Sequence, residues 1–149
     1  MIIAVTGHRP EDCEDESIVR GRLRETLSES RPSTVIVGMA AGVDLWAGDE
    51  ALGLGIDVWA AKPWETHGPR KVDADLYAKV IAGASKVVVV TETLGGKYPG
   101  PWAYHKRNEW MVDHATHVLA YWSGKESGGT YACYKYAKKV GRPVRNIYA

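Results

Sequence analysis

Three short loops hold the residues of this chain best suited to chemistry: TGHRP at residues 6–10, GMAAGVD at 38–44 and SGKESGGT at 123–130. Each pairs glycine, which lets backbone approach a ligand closely, with charged or hydroxyl side chains. In the last loop Ser123 and Gly124 lead to Gly128, Gly129 and Thr130 at the start of a helical segment. Free N–H groups, a hydroxyl and the positive end of a helix dipole meet there, a setting suited to a phosphate. Lys125 adds charge or is simply solvated. Gly38, Gly42 and Asp44 form a G-x-x-x-G-x-D pattern after an apolar run. It reads either as a tight turn with Asp44 capping the next helix, or as a ligand loop in which Asp44 accepts from a sugar hydroxyl. In the first loop Gly7 precedes His8 and Arg9. Arg9 suits bidentate contact with phosphate or carboxylate. His8 reads as a ligand contact or as a loop-bracing hydrogen bond.

Other groups are weaker candidates. Helical spacing places Tyr104, Arg107, Asn108 and Met111 on one face, and a buried arginine or asparagine needs partners, so these two reach a cleft or brace a neighbouring loop. Trp110 and His114 fall on another face, as packing and surface residues. Glu109 and Asp113, four apart, read as a solvated face or as an acid and base pair. His114 and His117 have H-x-x-H spacing without a third ligand, so no metal site is expected. Neither a Walker motif nor a dinucleotide G-x-G-x-x-G after the first strand is present, and no cofactor is implied.

Positioning these loops requires strands that end where they begin. Short β-branched apolar runs at residues 2–6, 34–38, 56–60, 86–91, 117–122 and 143–147 read as buried parallel strands. Helical segments at 16–30, 43–54, 72–83, 104–114 and 129–140 separate them. The alternation predicts an α/β fold: a Rossmann-like doubly wound, mostly parallel sheet of five to six strands flanked by helices, with ligand loops at the carboxyl ends of the strands. Longer loops at 62–71 and 92–101 mix aromatic and basic residues and read as lids or as plain surface loops.

The 149 residues suit one domain. Lysine plus arginine (19) against aspartate plus glutamate (18) leaves a net charge of +1, which argues against bulk attraction to nucleic acid or membrane. Cys13 and Cys133 read as free thiols, and the apolar start of the chain is too short for a signal or membrane span, so a soluble cytoplasmic protein is expected. Six tryptophans could exceed what one small core buries, which makes a homo-oligomer plausible.

Together TGHRP, GMAAGVDLWAGDEAL and the segment from RNEWMVDH to KKVGRPV resemble the SLOG superfamily of Rossmann-like nucleotide-binding proteins, most closely its YspA and YpsA-like branches. The middle block is similar to the glycine-rich segment of DprA. The resemblance spans nearly the whole chain and implies a pocket for a nucleotide or nucleotide-derived ligand, built from Gly7, Arg9, Gly38, Gly42, Asp44, Arg107, Asn108, Gly128, Gly129 and Thr130. LOG phosphoribohydrolases of that superfamily carry P-G-G-x-G-T-x-x-E with a catalytic glutamate. Here only Gly128, Gly129 and Thr130 recur, and Cys133 stands at the glutamate's position.

The leading expectation is therefore a domain that binds a phosphorylated or ADP-ribose-like small molecule as sensor, carrier or sequestering protein. An N-glycosidic hydrolase or transferase is the alternative, with Asp44, Glu109 and Asp113 as available carboxylates. Single-stranded DNA binding of DprA type comes third, suggested by the long loops and opposed by the near-zero charge.

Overall fold

The computed structural model describes residues 1–148. Six strands form one parallel sheet: β1 (Ile2–Gly7), β2 (Thr34–Val37), β3 (Asp57–Trp64), β4 (Lys86–Thr91), β5 (His117–Tyr121) and β6 (Val144–Asn146), in the order β4-β3-β2-β1-β5-β6. Five helices connect them: α1 (Glu16–Ser30), α2 (Val43–Gly53), α3 (Ala74–Gly83), α4 (Trp102–Asp113) and α5 (Gly128–Lys139). This is the expected α/β Rossmann-like architecture.

Two apolar layers sandwich the sheet. Val5, Val35, Val37, Val58 and Ala60 meet Leu23, Leu27, Val43, Ala47 and Val80 from α1, α2 and α3 on one face. Ala4, Ile36, Ala61 and Val118 meet Met111, Val112, Cys133 and Ala137 from α4 and α5 on the other. Every residue of β2 is buried, as its unbroken Thr-Val-Ile-Val run requires. The chain steps outward from β1 to β4, then returns across β1 to lay down β5 and β6. Strand order thus reverses between β1 and β5, where the loops after these two strands part and open a crevice.

Several boundaries differ from expectation. β3 runs on to Trp64, taking the first three residues of the expected 62–71 loop. Its pairing with β2 ends at Val37 and Ala60, so beyond that point it pairs only with β4. That half-edge setting admits Pro63, which has no N–H to give. Helix α4 begins at Trp102 because Pro101 already holds helical angles (φ −61°, ψ −27°). No helix among the described residues is long and apolar enough to cross a membrane.

Candidate functional site

A cleft of about 770 Å³ opens at the β1/β5 reversal. Of the residues singled out in the sequence, Gly7, His8, Arg9, Asp44, Tyr104, Arg107, Asn108, Ser123, Lys125, Gly128, Gly129 and Thr130 line it. Gly38, Gly42 and Gly124 do not.

The floor is charged and buried. Arg107, on α4, is only 6% exposed and donates through Nη1 to the Gly38 carbonyl and through Nε to Asn108 Oδ1 (2.9 Å). Asp44, in the first turn of α2, is likewise 6% exposed and accepts from the Ala40 N–H (3.3 Å). Gly38 separates the two: a Cβ there would lie 2.8 Å from both Arg107 Nη1 and Asp44 Oδ2. Burial pushes the Asp44 carboxyl up to about 6, held back by the Arg107 charge and by the Ala40 and Gly38 N–H groups. Burial also lowers the Arg107 pKa from its ordinary value, with Asp44 acting in the opposite sense. Asn108 reaches on to the Gly129 carbonyl (3.4 Å). The two polar residues of the α4 stripe therefore brace two loops and line the cleft as well, so both readings of them hold.

The rim is made of loop backbone. Ser127 precedes α5 in an extended conformation, and no side chain caps that helix. A Cβ built on Gly128 or Gly129 meets nothing within 4 Å. By contrast Gly7 packs on Val43, and Gly42, at φ +89°, sits 2.5 Å from the His8 carbonyl by the same measure, so these two glycines serve loop-to-loop contact. His8 accepts the Ser123 N–H at Nε2 (2.9 Å) and meets its hydroxyl at 3.1 Å, which makes it a brace across the strand reversal. Its pKa is lowered, chiefly by burial. Arg9 stands exposed at the mouth.

Asp12, His105, Ser127 and Tyr148 also line the cleft, without having been singled out in the sequence. Of these, Asp12 sits three residues beyond Arg9 in the same loop and was within reach of sequence reasoning. Tyr148 had no signal: the chain end brings it there after β6, against Tyr121 (4.9 Å between rings).

Five residues weighed in the sequence fall elsewhere. Glu109 and Asp113 line a separate groove between α4 and β4, because their i, i+4 row faces away from the cleft, and Asp113 accepts the Tyr136 hydroxyl (2.7 Å). They are not available to a ligand at the strand reversal, which leaves Asp44 and Asp12 as its carboxylates. Cys133, on the inner side of α5, is buried, and burial pushes its thiol up to about 11, so the residue three after Thr130 is a protonated, inert group. His114 Nδ1 contacts the Trp110 carbonyl and His117 Nδ1 the Thr116 hydroxyl. No group of three metal-ligating side chains occurs among the described residues.

The two long loops lock onto each other. Trp64 meets Tyr98 (4.9 Å), His67 (5.0 Å) and Tyr104 (5.3 Å) edge to face, and the Thr66 hydroxyl donates to the Gly96 carbonyl. Their aromatics thus build a wall behind Arg107, which stacks on Tyr104 at 5.7 Å. Interleaving of aromatic and basic side chains lies instead along α5. Trp122 stacks on Tyr131 (5.6 Å) and Tyr134 (4.5 Å), with Lys135 over Tyr131 (4.9 Å) and Lys138 over Tyr134 (5.5 Å).

A family model described as DNA recombination-mediator protein A matches residues 1–148. The chain belongs to that family. It is similar to the uncharacterized SPbeta prophage-derived protein YoqJ of Bacillus subtilis, 36% identical over 43% of this chain and 41% of that one. Among solved structures it resembles DNA processing protein A of Helicobacter pylori, described by its single-stranded DNA binding mode (TM-score 0.71, 19% identity, 97% of this chain and 63% of that one). It also resembles the molybdenum cofactor carrier protein of Chlamydomonas reinhardtii (TM-score 0.61, 18% identity, 96% and 73%). At these identities the structures show the fold, and the chain spans less than two thirds of YoqJ and of the DNA processing protein. The set fits a SLOG-type Rossmann-like family. It also revises the expectation drawn from net charge, since a family of this description and a DNA-binding neighbour bring nucleic acid back among the candidate partners.

Proposed function

We propose that this chain binds a nucleotide or nucleotide-derived, phosphorylated small molecule at the β1/β5 reversal and acts as a carrier, sensor or sequestering domain. The observation that carries this reading is the meeting of two kinds of group in one cleft. The uncapped amino terminus of α5, with open space over Gly129, offers N–H donors to a phosphate, while Asp44 and Arg107 beneath offer an acceptor and a donor to sugar or base. The inert thiol at Cys133 and the removal of Glu109 and Asp113 from the cleft favour binding over N-glycosidic hydrolysis. Likeness to a cofactor carrier supports the same reading. Isothermal titration against nucleoside mono-, di- and triphosphates, cyclic nucleotides and ADP-ribose is expected to return at least one micromolar ligand. Silence across the whole panel would refute the proposal.

A second reading has its own support. The Trp122, Tyr131 and Tyr134 stack, with Lys135 and Lys138 laid over it, is the combination of π-faces and cations that single-stranded nucleic acid uses. Lys125, Lys135, Lys138, Lys139 and Arg142 stand against Glu126 alone in residues 122–142, so this stretch is basic in a chain that is nearly neutral. Salt-dependent retention on single-stranded DNA distinguishes this reading from the first.

A further inference from the structure

The sheet ends differently at its two edges. At one, β6 is three residues long, follows Pro143, exposes Arg145, and ends at Asn146, whose side chain accepts the Trp122 N–H (3.1 Å) and donates to the Trp122 carbonyl (2.8 Å). A short, charged edge beside a proline discourages further pairing. At the other, β4 is Lys-Val-Val-Val-Val-Thr, pairs with β3 alone, and has no buried residue. Four consecutive valines without proline or an internal charge make an edge ready to accept another strand.

The faces of β4 are equally uneven. Val88 and Val90 share the α4 side with Ala61 and Trp59, and Val90 packs into that layer. Val87 and Val89 turn to the opposite side and join no core there, and Val87 is 45% exposed. Lys86, at the start of the strand, lies over the Trp59 ring (4.8 Å), on the α4 side. At the far end of β4, also on the α4 side, a groove of about 490 Å³ is lined by Glu92, Glu109 and Asp113, with Trp102 and Trp110 as walls and Lys106 as its one cation. A cation thus stands at the start of β4, and carboxylates with aromatic walls lie at its end.

This geometry points to an isologous dimer in which β4 of one copy pairs antiparallel with β4 of a second copy of this chain. Placing Val89 opposite the partner's Val89 on the two-fold axis sets Val87 against the partner's Thr91 and Lys86 against the partner's Glu92. Directly opposed residues share a face, so the partner's Lys86 arrives at the acidic, tryptophan-walled groove, and the symmetry repeats the contact at the other end. The pairing joins two six-stranded sheets into one and sets the two Val89 side chains side by side on its open face. It leaves the cleft at the β1/β5 reversal untouched and does not depend on what that cleft binds.

Sedimentation equilibrium of the full chain over a range of concentrations tests this. The expected result is a reversible species of twice the 16.4 kDa chain mass. Lys86→Glu and Glu92→Lys should each raise the dimer dissociation constant roughly tenfold or more, since like charges then face each other at both ends. The double exchange, K86E with E92K, should restore it. Val89→Lys, which sets two ammonium groups together on the axis, should give monomer with an unchanged circular dichroism spectrum. A chain that stays monomeric throughout, a dimer indifferent to the single charge reversals and to Val89→Lys, or growth past the dimer would each overturn the proposal.

Discussion

His8 Nε2, at the end of β1, accepts the N–H of Ser123, at the end of β5, across 2.9 Å, and so ties together the two loops between which the sheet reverses. A nitrogen that accepts cannot carry a proton, so the imidazole is neutral with its hydrogen on Nδ1 whenever the tie is made. Burial, the main cause, lowers the His8 pKa from 6.5, with Lys125 adding to the effect and Asp12 opposing it. The unfolded chain therefore takes up this proton first, and the stability contributed by the tie is complete above about pH 6.5 and lost as pH falls through the lowered folded value. An NMR titration of the His8 ring should give a midpoint below 6.5. A midpoint at or above that value would mean that the tie does not form.

Asp44 has the opposite sign. Its folded carboxyl is raised to about 6 from 3.8, so the native state holds the proton more tightly than the unfolded chain. The contribution of Asp44 to stability is greatest at acid pH and falls between about pH 4 and pH 6, by up to about 3 kcal/mol for a shift of this size. Asp44→Asn keeps an acceptor for the Ala40 N–H and removes the titration. Urea melts across that range should show the variant gaining on the wild type as pH rises. Parallel stability curves would contradict the assignment.

Glycines separate the structural from the ligand-facing parts of the site. Gly42→Ala adds a Cβ 2.5 Å from the His8 carbonyl on a residue at φ +89°, which should destabilise the fold by about 1–3 kcal/mol. Gly129→Ala meets nothing within 4 Å and lacks a positive φ, so the melting temperature should hardly move. If a phosphate lies over that backbone, the same Gly129→Ala change should weaken binding of the nucleotide found by titration. Unchanged affinity would take the α5 amino terminus out of the site.

Arg107→Ala removes a buried guanidinium that supports Gly38 and Asn108 while lining the cleft. Loss of a charge-assisted bond to ligand should cost roughly 1.5–3 kcal/mol of affinity, about ten- to hundredfold. Stability should fall as well, because Asp44 keeps its burial and loses the neighbouring cation. Arg9→Ala, at an exposed position, should lower affinity without that loss of stability. Calorimetric titration and thermal melts of both variants separate the two effects.

The nucleic-acid reading makes a separate demand. Lys135→Glu with Lys138→Glu should abolish retention on single-stranded DNA and leave small-molecule binding in the cleft unchanged, because neither lysine lines it. Loss of both activities together would join the two surfaces into one site.

Local pattern alone determined the alternation of strand and helix, the parallel sheet and the position of the three loops, because β-branched runs and helical segments are short-range signals and parallel strands must end on the same side. It also marked Arg107 and Asn108, since polar residues on an apolar helical stripe must find partners. Tertiary structure decided the rest. Whether Gly42 or Gly129 faces a ligand depends on which backbone passes over it, and His8 became a brace only when β5 was laid beside β1. By composition the long loops read as lids or plain surface loops; in the fold their rings close on one another, and the stacked cations lie on α5 beside Trp122. Glu109 and Asp113 were one helix turn apart in the sequence, but only the packing of α4 against the sheet chose the side on which they emerge. Such choices rest on contacts between residues far apart in the chain, where spacing carries no information.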